Sequence, residues 1–369
     1  MVGQKKYATS ISSFIKMETR FYLNNKLIDN FNEIWTNRIL FEKIQEVKVS
    51  KLCDIFLIKP GYPEDNPFDV IQTLGKDRKI IVWYMDTVSN QIYYNHKNSI
   101  NMLCEKGYDL KVIIPDHLDN YDLSCEVFNN YSMADCILEQ QERDKWLISY
   151  LYNDRKKLYR QKYFLSFNGV PKLHRIALLG LIISNNLLKK FDISFNSFFW
   201  NEELNLSGLS EYNIEKFDTS ILPLHLDLLE STYYTSTKLN LPLYSNSYID
   251  IVSCSNYNRD GVYIDEKTYK SFACMKPFIL VSQCGALKKL RELGFKTFSP
   301  WIDESYDDEK NHVKRMSLIV EEIKRISKLS LKEIDKMYFD MELVLKHNSS
   351  QLGIYIHNTD KKILGIFND

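Results

Sequence analysis

Asp265, Glu266 and Lys267 follow one another in YIDEKTYKSFACMKPFILVS (263–282), where a turn runs into a short helix and then a buried strand. Two acids and a base at a helix mouth admit two chemistries. The first is a solvated cap, because a carboxylate in the first turn is favoured by the backbone dipole. In the second, Glu266 accepts from a sugar diol while Lys267 and Thr268 hold phosphate oxygens. Phosphates need donors and positive charge, and one helix mouth supplies both.

A second constellation is FLSFNGVPKLHR (164–175), a strand ending at Asn168, a turn, and a helix with His174 and Arg175 in its first turn. Positive charge is disfavoured there unless an anion shares the site. The bland alternative is a surface arginine beside a half-buried histidine. A third group lies at strand ends nearer the amino terminus: Asp86 after IIVWYM, and Asp116 with His117 after VIIP. Either acid could deprotonate an acceptor hydroxyl as general base, or cap the helix that follows; His96 is a further candidate. The fourth, GFKTFSPWIDESYDD (294–308), reads as a loop docked through Phe295, Phe298 and Trp301 with its acids in water. A divalent-metal role for Asp303, Glu304 or Asp307 lacks any fixed ligand spacing. GxGxxG, Walker A, GxSxG and HExxH patterns are absent, which argues against a standard dehydrogenase, P-loop NTPase, serine hydrolase or zincin.

The positioning elements follow from apolar runs. CDIFLIKP (53–60), KIIVWYMDT (79–87), DLKVIIPD (109–116) and ADCILEQ (134–140) read as strands, with residues 1–50 and the bridge 140–161 helical. The pattern restarts with KYFLSFNG (162–169), a helix over 171–188, and strands FDISFNS (191–197), SYIDIVSCS (247–255) and PFILVS (277–282). Helices over 266–275 and 285–295 and long helices over 312–352 complete it. Continuous apolar strands alternating with helices predict parallel sheets covered on both faces. The fold class is α/β: two Rossmann-like domains in tandem facing a central cleft, with C-terminal helices. The expected divisions are 1–160, 161–330 and a helical extension over 331–369.

The bulk numbers agree. The 369 residues exceed one comfortable core, 44% are hydrophobic and 26% charged, and the formal net charge of +0 gives no global field toward nucleic acid or membrane. Seven scattered cysteines without a CxxC pair argue against zinc and predict free thiols in a reducing compartment. No apolar leader and no run of roughly 18 apolar residues is present, so a cytoplasmic soluble protein is expected.

KYFLSFNGVPKLHRIALLGLI together with YIDIVSCSNYNRDGVYIDEKTYKSFACMKPFILVSQCGALKKLRELGFKTFSPWIDESYDD resembles a group of phage and large-virus glycosyltransferase-like proteins. Their pattern is approximately a SFN–R–P–HR turn, then TEKT–K–I––G–PF, then L–––GFKTF––––DESYD. The second half also looks like the donor-binding halves of exostosin-type and fucosyltransferase-type enzymes of GT-B architecture. The resemblance covers about 160–325, and Gly169 and Asp265 depart from it where the family has a basic residue and a Thr. It implies a metal-independent transferase with no essential cofactor, using a UDP- or GDP-sugar donor held by Asn168, His174, Arg175, Tyr263, Glu266, Lys267 and Thr268. Asp86 or Asp116 would serve the acceptor, a glycan or a modified base in phage DNA. A DNA acceptor would need a basic face, to which Arg155-Lys156-Lys157 and Lys361-Lys362 could contribute. The competing readings are a non-catalytic binding or structural module that retains the fold, and a different α/β transferase or sugar-phosphate enzyme.

Overall fold

A computed structural model describes residues 19–23, 26–28, 38–46, 52–58, 66–85, 90–115, 117–118, 121–131, 133–154, 159–196, 206–224 and 238–367. Among these, the chain forms two sheets. The first contains β1 (Thr19–Leu23), β2 (Lys26–Ile28), β3 (Cys53–Ile58), β4 (Lys79–Tyr84), β5 (Asp109–Ile114) and β6 (Val127–Asn129), in the order β2-β1-β3-β4-β5-β6. All neighbours are parallel except the β1–β2 hairpin. The second contains β7 (Lys162–Asn168), β8 (Phe191–Phe195), β9 (Ser247–Ser253) and β10 (Phe278–Val281), ordered β10-β9-β7-β8 and wholly parallel. The expected α/β class with two parallel sheets is therefore what the chain adopts.

The apolar runs explain the central strands. Every residue of β3, β4 and β9 is buried, as sheets covered on both faces require. Asp54 interrupts β3 and is fully buried, yet Arg20 reaches it at 2.8 Å and Arg78 also pairs with it. Two expectations fail. Within 1–50 the sequence forms two strands before its helix α1 (Arg38–Glu46); in TRFYL the buried residues Phe21 and Leu23 alternate with partly exposed ones, a period-two signal. ADCILEQ is a helix, α4 (Ala134–Arg143), with Ala134, Ile137 and Gln141 on its buried face. Helices α2 (Phe68–Thr73) and α3 (Asn90–Glu105) connect the first sheet, α5 (Lys145–Asp154) follows α4, and α6 (Leu173–Ser184) links β7 to the region of β8. The remainder are α7 (Leu241–Asn246), α8 (Glu266–Ala273), α9 (Ala286–Glu292), α10 (His312–Ser327), α11 (Leu331–Asp340) and α12 (Glu342–Gly365).

Among the described residues, two of the contacts that join the lobes position the site. His117, just past β5, exchanges backbone hydrogen bonds of 2.7 and 2.8 Å with Val262. Gly261 beside it has φ +78°, a left-handed conformation that favours glycine, and a Cβ there would also lie 3.2 Å from the His117 carbonyl oxygen. The second contact is α12. Its Leu345, Leu352 and Ile356 belong to the carboxy-terminal core, whereas Ile363, with Ile366 and Phe367 just beyond the helix, fills the amino-terminal core alongside Trp83 and Phe41. Lys79 Nζ donates to the Ile366 carbonyl at 2.5 Å, and Lys43 pairs with Asp360 at 2.8 Å.

Asp250 on β9 yields a pH prediction. Burial pushes its pKa up to about 7, although Ser271 donates to it at 2.7 Å. The folded state therefore binds more protons than the unfolded state between about pH 4 and 7, and stability falls as pH rises through that window. Asp250→Asn removes this slope. The variant should gain on the native chain by roughly 2–3 kcal/mol between pH 5 and 8, measured as urea midpoints; parallel curves would refute it.

Candidate functional site

The order β10-β9-β7-β8 contains a topological switch. From β7 the chain steps to β8 on one side, then to β9 on the other. In open α/β sheets the crevice outside the strand C-termini at such a point is where ligands bind. Here those termini are Asn168 of β7 and Ser253 of β9.

Cationic side chains converge on the carbonyls just past β9. Lys172 Nζ donates to the Ser255 carbonyl at 2.8 Å, Arg175 Nη2 to that of Ser253 at 2.8 Å, and His174 Nε2 lies 3.0 Å from that of Cys254. His174 also stacks on Tyr257, with centroids 5.1 Å apart. Burial, then the neighbouring Arg175 charge, push the His174 pKa well below the ordinary value. The neutral imidazole therefore presents an Nε2–H to Cys254. Arg175 Nη1 donates to the Val170 carbonyl at 3.0 Å. Burial lowers its pKa, opposed by Asp265. Arg175 and His174 are thus not surface groups; both tie the turn after β7 to the turn after β9.

Opposite them, Asp265 is fully buried at the start of α8. It accepts from the Ser255 amide at 3.0 Å and from Thr268 Oγ1 at 3.5 Å. Lys267 Nζ lies 3.4 Å from Asp265 and 2.5 Å from Glu266. Burial opposes the Lys267 charge, yet the two carboxylates carry its pKa above the usual lysine value. Glu266 is raised by burial but more strongly lowered by Lys267, for a net downward shift. The three residues form an ionised cluster with one net negative charge, which Arg175 balances. Tyr263 and Thr268 are buried beside it.

Several buried polar atoms around this point find no partner in the protein: Asn168 Oδ1, Arg175 Nε, Ser253 Oγ and Asn256 Nδ2. Uncompensated buried polar atoms are uncommon, and the presence of four beside a switch point makes this crevice the candidate site. Lys172, Ser253 and Asn256 were not among the residues singled out from sequence; Lys172 stood in view within PKLHR, while the other two become notable only once β9 ends beside β7.

Asp86 and Asp116 lie outside the described residues, as do Arg155, Lys156 and Lys157. The adjoining His117 is buried at the lobe seam, with its pKa pushed down to about 4 chiefly by burial. His96 hydrogen-bonds Tyr84 at 2.9 Å. Sequence reasoning also missed Asp135 in the first turn of α4, whose Ala134 and Ile137 belong to the carboxy-terminal core. This helix packs against α8, and Asp144 at its far end acts electrostatically on Cys274 at the far end of α8, so the two helices start on the same side. The Asp135 carboxylate oxygens are buried without a full hydrogen bond, and burial pushes the pKa up to about 6 with the Cys136 amide opposing. A carboxylate poised there can accept a proton near neutral pH.

The acidic loop after α9 is structural. Phe295 and Phe298 are buried as expected, but the acids are not all in water. Asp307 accepts from the Leu287 and Lys288 amides at 2.9 Å, and Glu304 from that of Phe298 at 2.5 Å. Among the described residues, no group of three or more His, Cys, Asp or Glu is placed to hold a metal, and no helix is long and apolar enough to cross a membrane. All seven cysteines are free thiols.

No family model and no curated sequence matches the chain. Similar solved structures include an α,α-trehalose-phosphate synthase (UDP-forming) from Burkholderia xenovorans in complex with glucose-6-phosphate. It has 12% identity and a TM-score of 0.43, covering 83% of this chain and 72% of that one. The N-terminal domain of a Candida albicans trehalose-6-phosphate phosphatase has 11% identity and a TM-score of 0.48, with coverages of 88% and 73%. An E. coli trehalose-6-phosphate structure bound with UDP-2-fluoro glucose has 11% identity and a TM-score of 0.40, with coverages of 84% and 73%. Scores below 0.5 at these identities assign no activity, and the fold rests on the chain's own strand pairing.

Proposed function

We propose that this chain is a glycosyltransferase that moves a sugar from a nucleotide-sugar donor to an acceptor hydroxyl. The observation that carries the reading is the switch point at Asn168 and Ser253, where Arg175, Lys267, Asp265 and Glu266 gather among polar atoms unpartnered within the protein. The motif resemblance over 160–325 points to the same residues. In this reading 161–330 is the donor-binding domain, 1–160 faces the acceptor, and 331–369 is a helical extension. Glu266 accepts from the ribose, Asn168, Thr268 and Tyr263 line the donor, and His174 holds the turn. Arg175 Nε and Lys267 stabilise the departing diphosphate without need of a metal. A carboxylate of the amino-terminal lobe, Asp86 or Asp116, takes the acceptor proton. The finer identity is of the phage and large-virus type, with a glycan or a modified DNA base as acceptor and UDP or GDP as the nucleotide.

One observation favours the non-catalytic module instead: Lys267 is already held by two carboxylates. Binding of nucleoside diphosphates decides first. UDP or GDP at millimolar concentration should raise the Tm saturably, because a ligand of the native state must, and Glu266→Gln should weaken that binding about tenfold. Radiolabelled sugar release from the matching donor then separates enzyme from module. No shift with any nucleoside diphosphate would remove the proposed function.

A further inference from the structure

We propose that Cys104 and Cys125 form a redox site in the amino-terminal lobe, where a small-molecule disulfide converts the two thiols into one reversible protein disulfide. Cys104 lies in the last turn of α3, and Cys125 lies two residues before β6. Both are partly buried, whereas Cys53, Cys254 and Cys274 are buried outright. Both pack against the apolar cluster that includes Leu103, Leu110 and Val112.

A ladder of side-chain bonds sets the approach of the two segments. Lys97 Nζ pairs with Asp122 Oδ2 at 2.9 Å. One turn on, Asn101 Nδ2 donates to the Asp122 carbonyl at 3.1 Å, and Asn101 Oδ1 accepts from the Ser124 amide at 2.8 Å. Residues four and then three apart on a helix lie on one face, so Lys97, Asn101 and Cys104 form one row. The next rung down both segments is Cys104 opposite Cys125. The thiols interact there: Cys125 stabilises a Cys104 thiolate by donating its S–H toward it, and Cys104 raises the Cys125 pKa in return. The clamp at Asn101 uses backbone groups, so the placement does not depend on the thiols themselves.

The order of steps follows from the same geometry. Burial is the main cause that pushes the Cys125 thiol up to about 12 and raises that of Cys104, with Glu126 and Glu105 adding to the rise. Cys104 has the help of its neighbour's S–H and is the thiolate that attacks first. Its sulfur bonds to one sulfur of the small disulfide, whose S–S bond breaks and releases one small thiolate. Cys125 then loses its proton and attacks the Cys104 sulfur, and the second small thiolate leaves. Two protein thiols are oxidised, one small disulfide is reduced to two thiols, and the two protons pass to the released thiolates. The loop closed in this way contains β5 and His117, whose backbone pairs with Val262 across the lobes. Oxidation therefore restrains the segment that carries the seam.

Incubation of the full chain with excess oxidised glutathione, followed by peptide mapping without reduction, tests this. A disulfide needs Cβ atoms within about 4.5 Å, so crosslinking of the folded chain also measures the placement. The expected product is a Cys104–Cys125 crosslink that outnumbers glutathione adducts of these two residues about tenfold and disappears with dithiothreitol. Its rate should rise roughly tenfold per pH unit from 7 to 9, because the thiolate is the attacking form. Cys104→Ser should abolish the crosslink and leave Cys125 as a lasting glutathione adduct. Asn101→Ala keeps both thiols but releases the clamp, and should slow closure about tenfold. Absence of the crosslink, separate adducts on both cysteines, or closure as fast in Asn101→Ala as in the native chain overturns the proposal.

Discussion

Lys267→Ala should lower the unfolding free energy by about 3 kcal/mol at pH 7, because removing one member of a buried ionic cluster leaves the others uncompensated. The lysine stands between Asp265, with no exposed side chain, and Glu266, whose side chain is 13% exposed. Without it, two adjacent carboxylates share a desolvated pocket with Arg175 and the electrostatic help of Lys270. The pH dependence distinguishes this mechanism from a packing loss. In the native chain Glu266 has a lowered pKa, so its contribution is present above the ordinary carboxylate range and is lost as pH falls. In the variant the carboxylates are held up by burial and by each other, and the unfolded state no longer gains by binding protons first. The gap between the two chains should therefore narrow from pH 7 to 4. Lys267→Met with Glu266→Gln should recover part of the loss, as residues of one network are non-additive. A loss below 1 kcal/mol, or one independent of pH, would mean that the cluster is not ionised as described. The substitution is thus a test of stability as well as of donor turnover, and Glu266→Gln is the cleaner probe of binding.

Truncation after Asp360 should unfold the amino-terminal lobe. It removes Ile363, Ile366 and Phe367, all 2% exposed or less, from the core that holds Trp83. Truncating a buried Ile or Phe to alanine alone costs about 2–5 kcal/mol, so losing three approaches the roughly 5–15 kcal/mol of a whole domain. The Lys79 ammonium, 5% exposed, also loses the Ile366 carbonyl that accepts from it. Trp83 emission should shift to the red and proteolysis should concentrate in 19–129, while the second sheet stays protected. Retained cooperative unfolding with unshifted emission would show that α12 merely lies against the first lobe.

The two predictions mark different depths of reading. The parallel strands β3, β4, β5, β7, β9 and β10 were legible because a strand buried on both faces must be a short apolar run closed by turn residues, and that pattern is local. So were α6 and α8, and the notion that their mouths matter. TRFYL escaped because its alternation is brief and lies among aromatics that also suit a helix. ADCILEQ escaped because a short apolar run has no intrinsic period, and only packing of Ala134, Ile137 and Gln141 against other elements selects the helix.

By itself, then, the amino-acid order determined the kind of fold and which turns carry charge, since backbone propensity and hydrophobic period act over a few residues. Tertiary structure alone decided that Asp265 is buried rather than solvated, that Arg175 spans two strand ends, that Arg160 sits among three rings, and that the last turn of the chain completes the first core. These pairings join groups from 78 residues apart, as for Arg175 and Ser253, to 287 apart, as for Lys79 and Ile366, and no local rule specifies which of those groups meet.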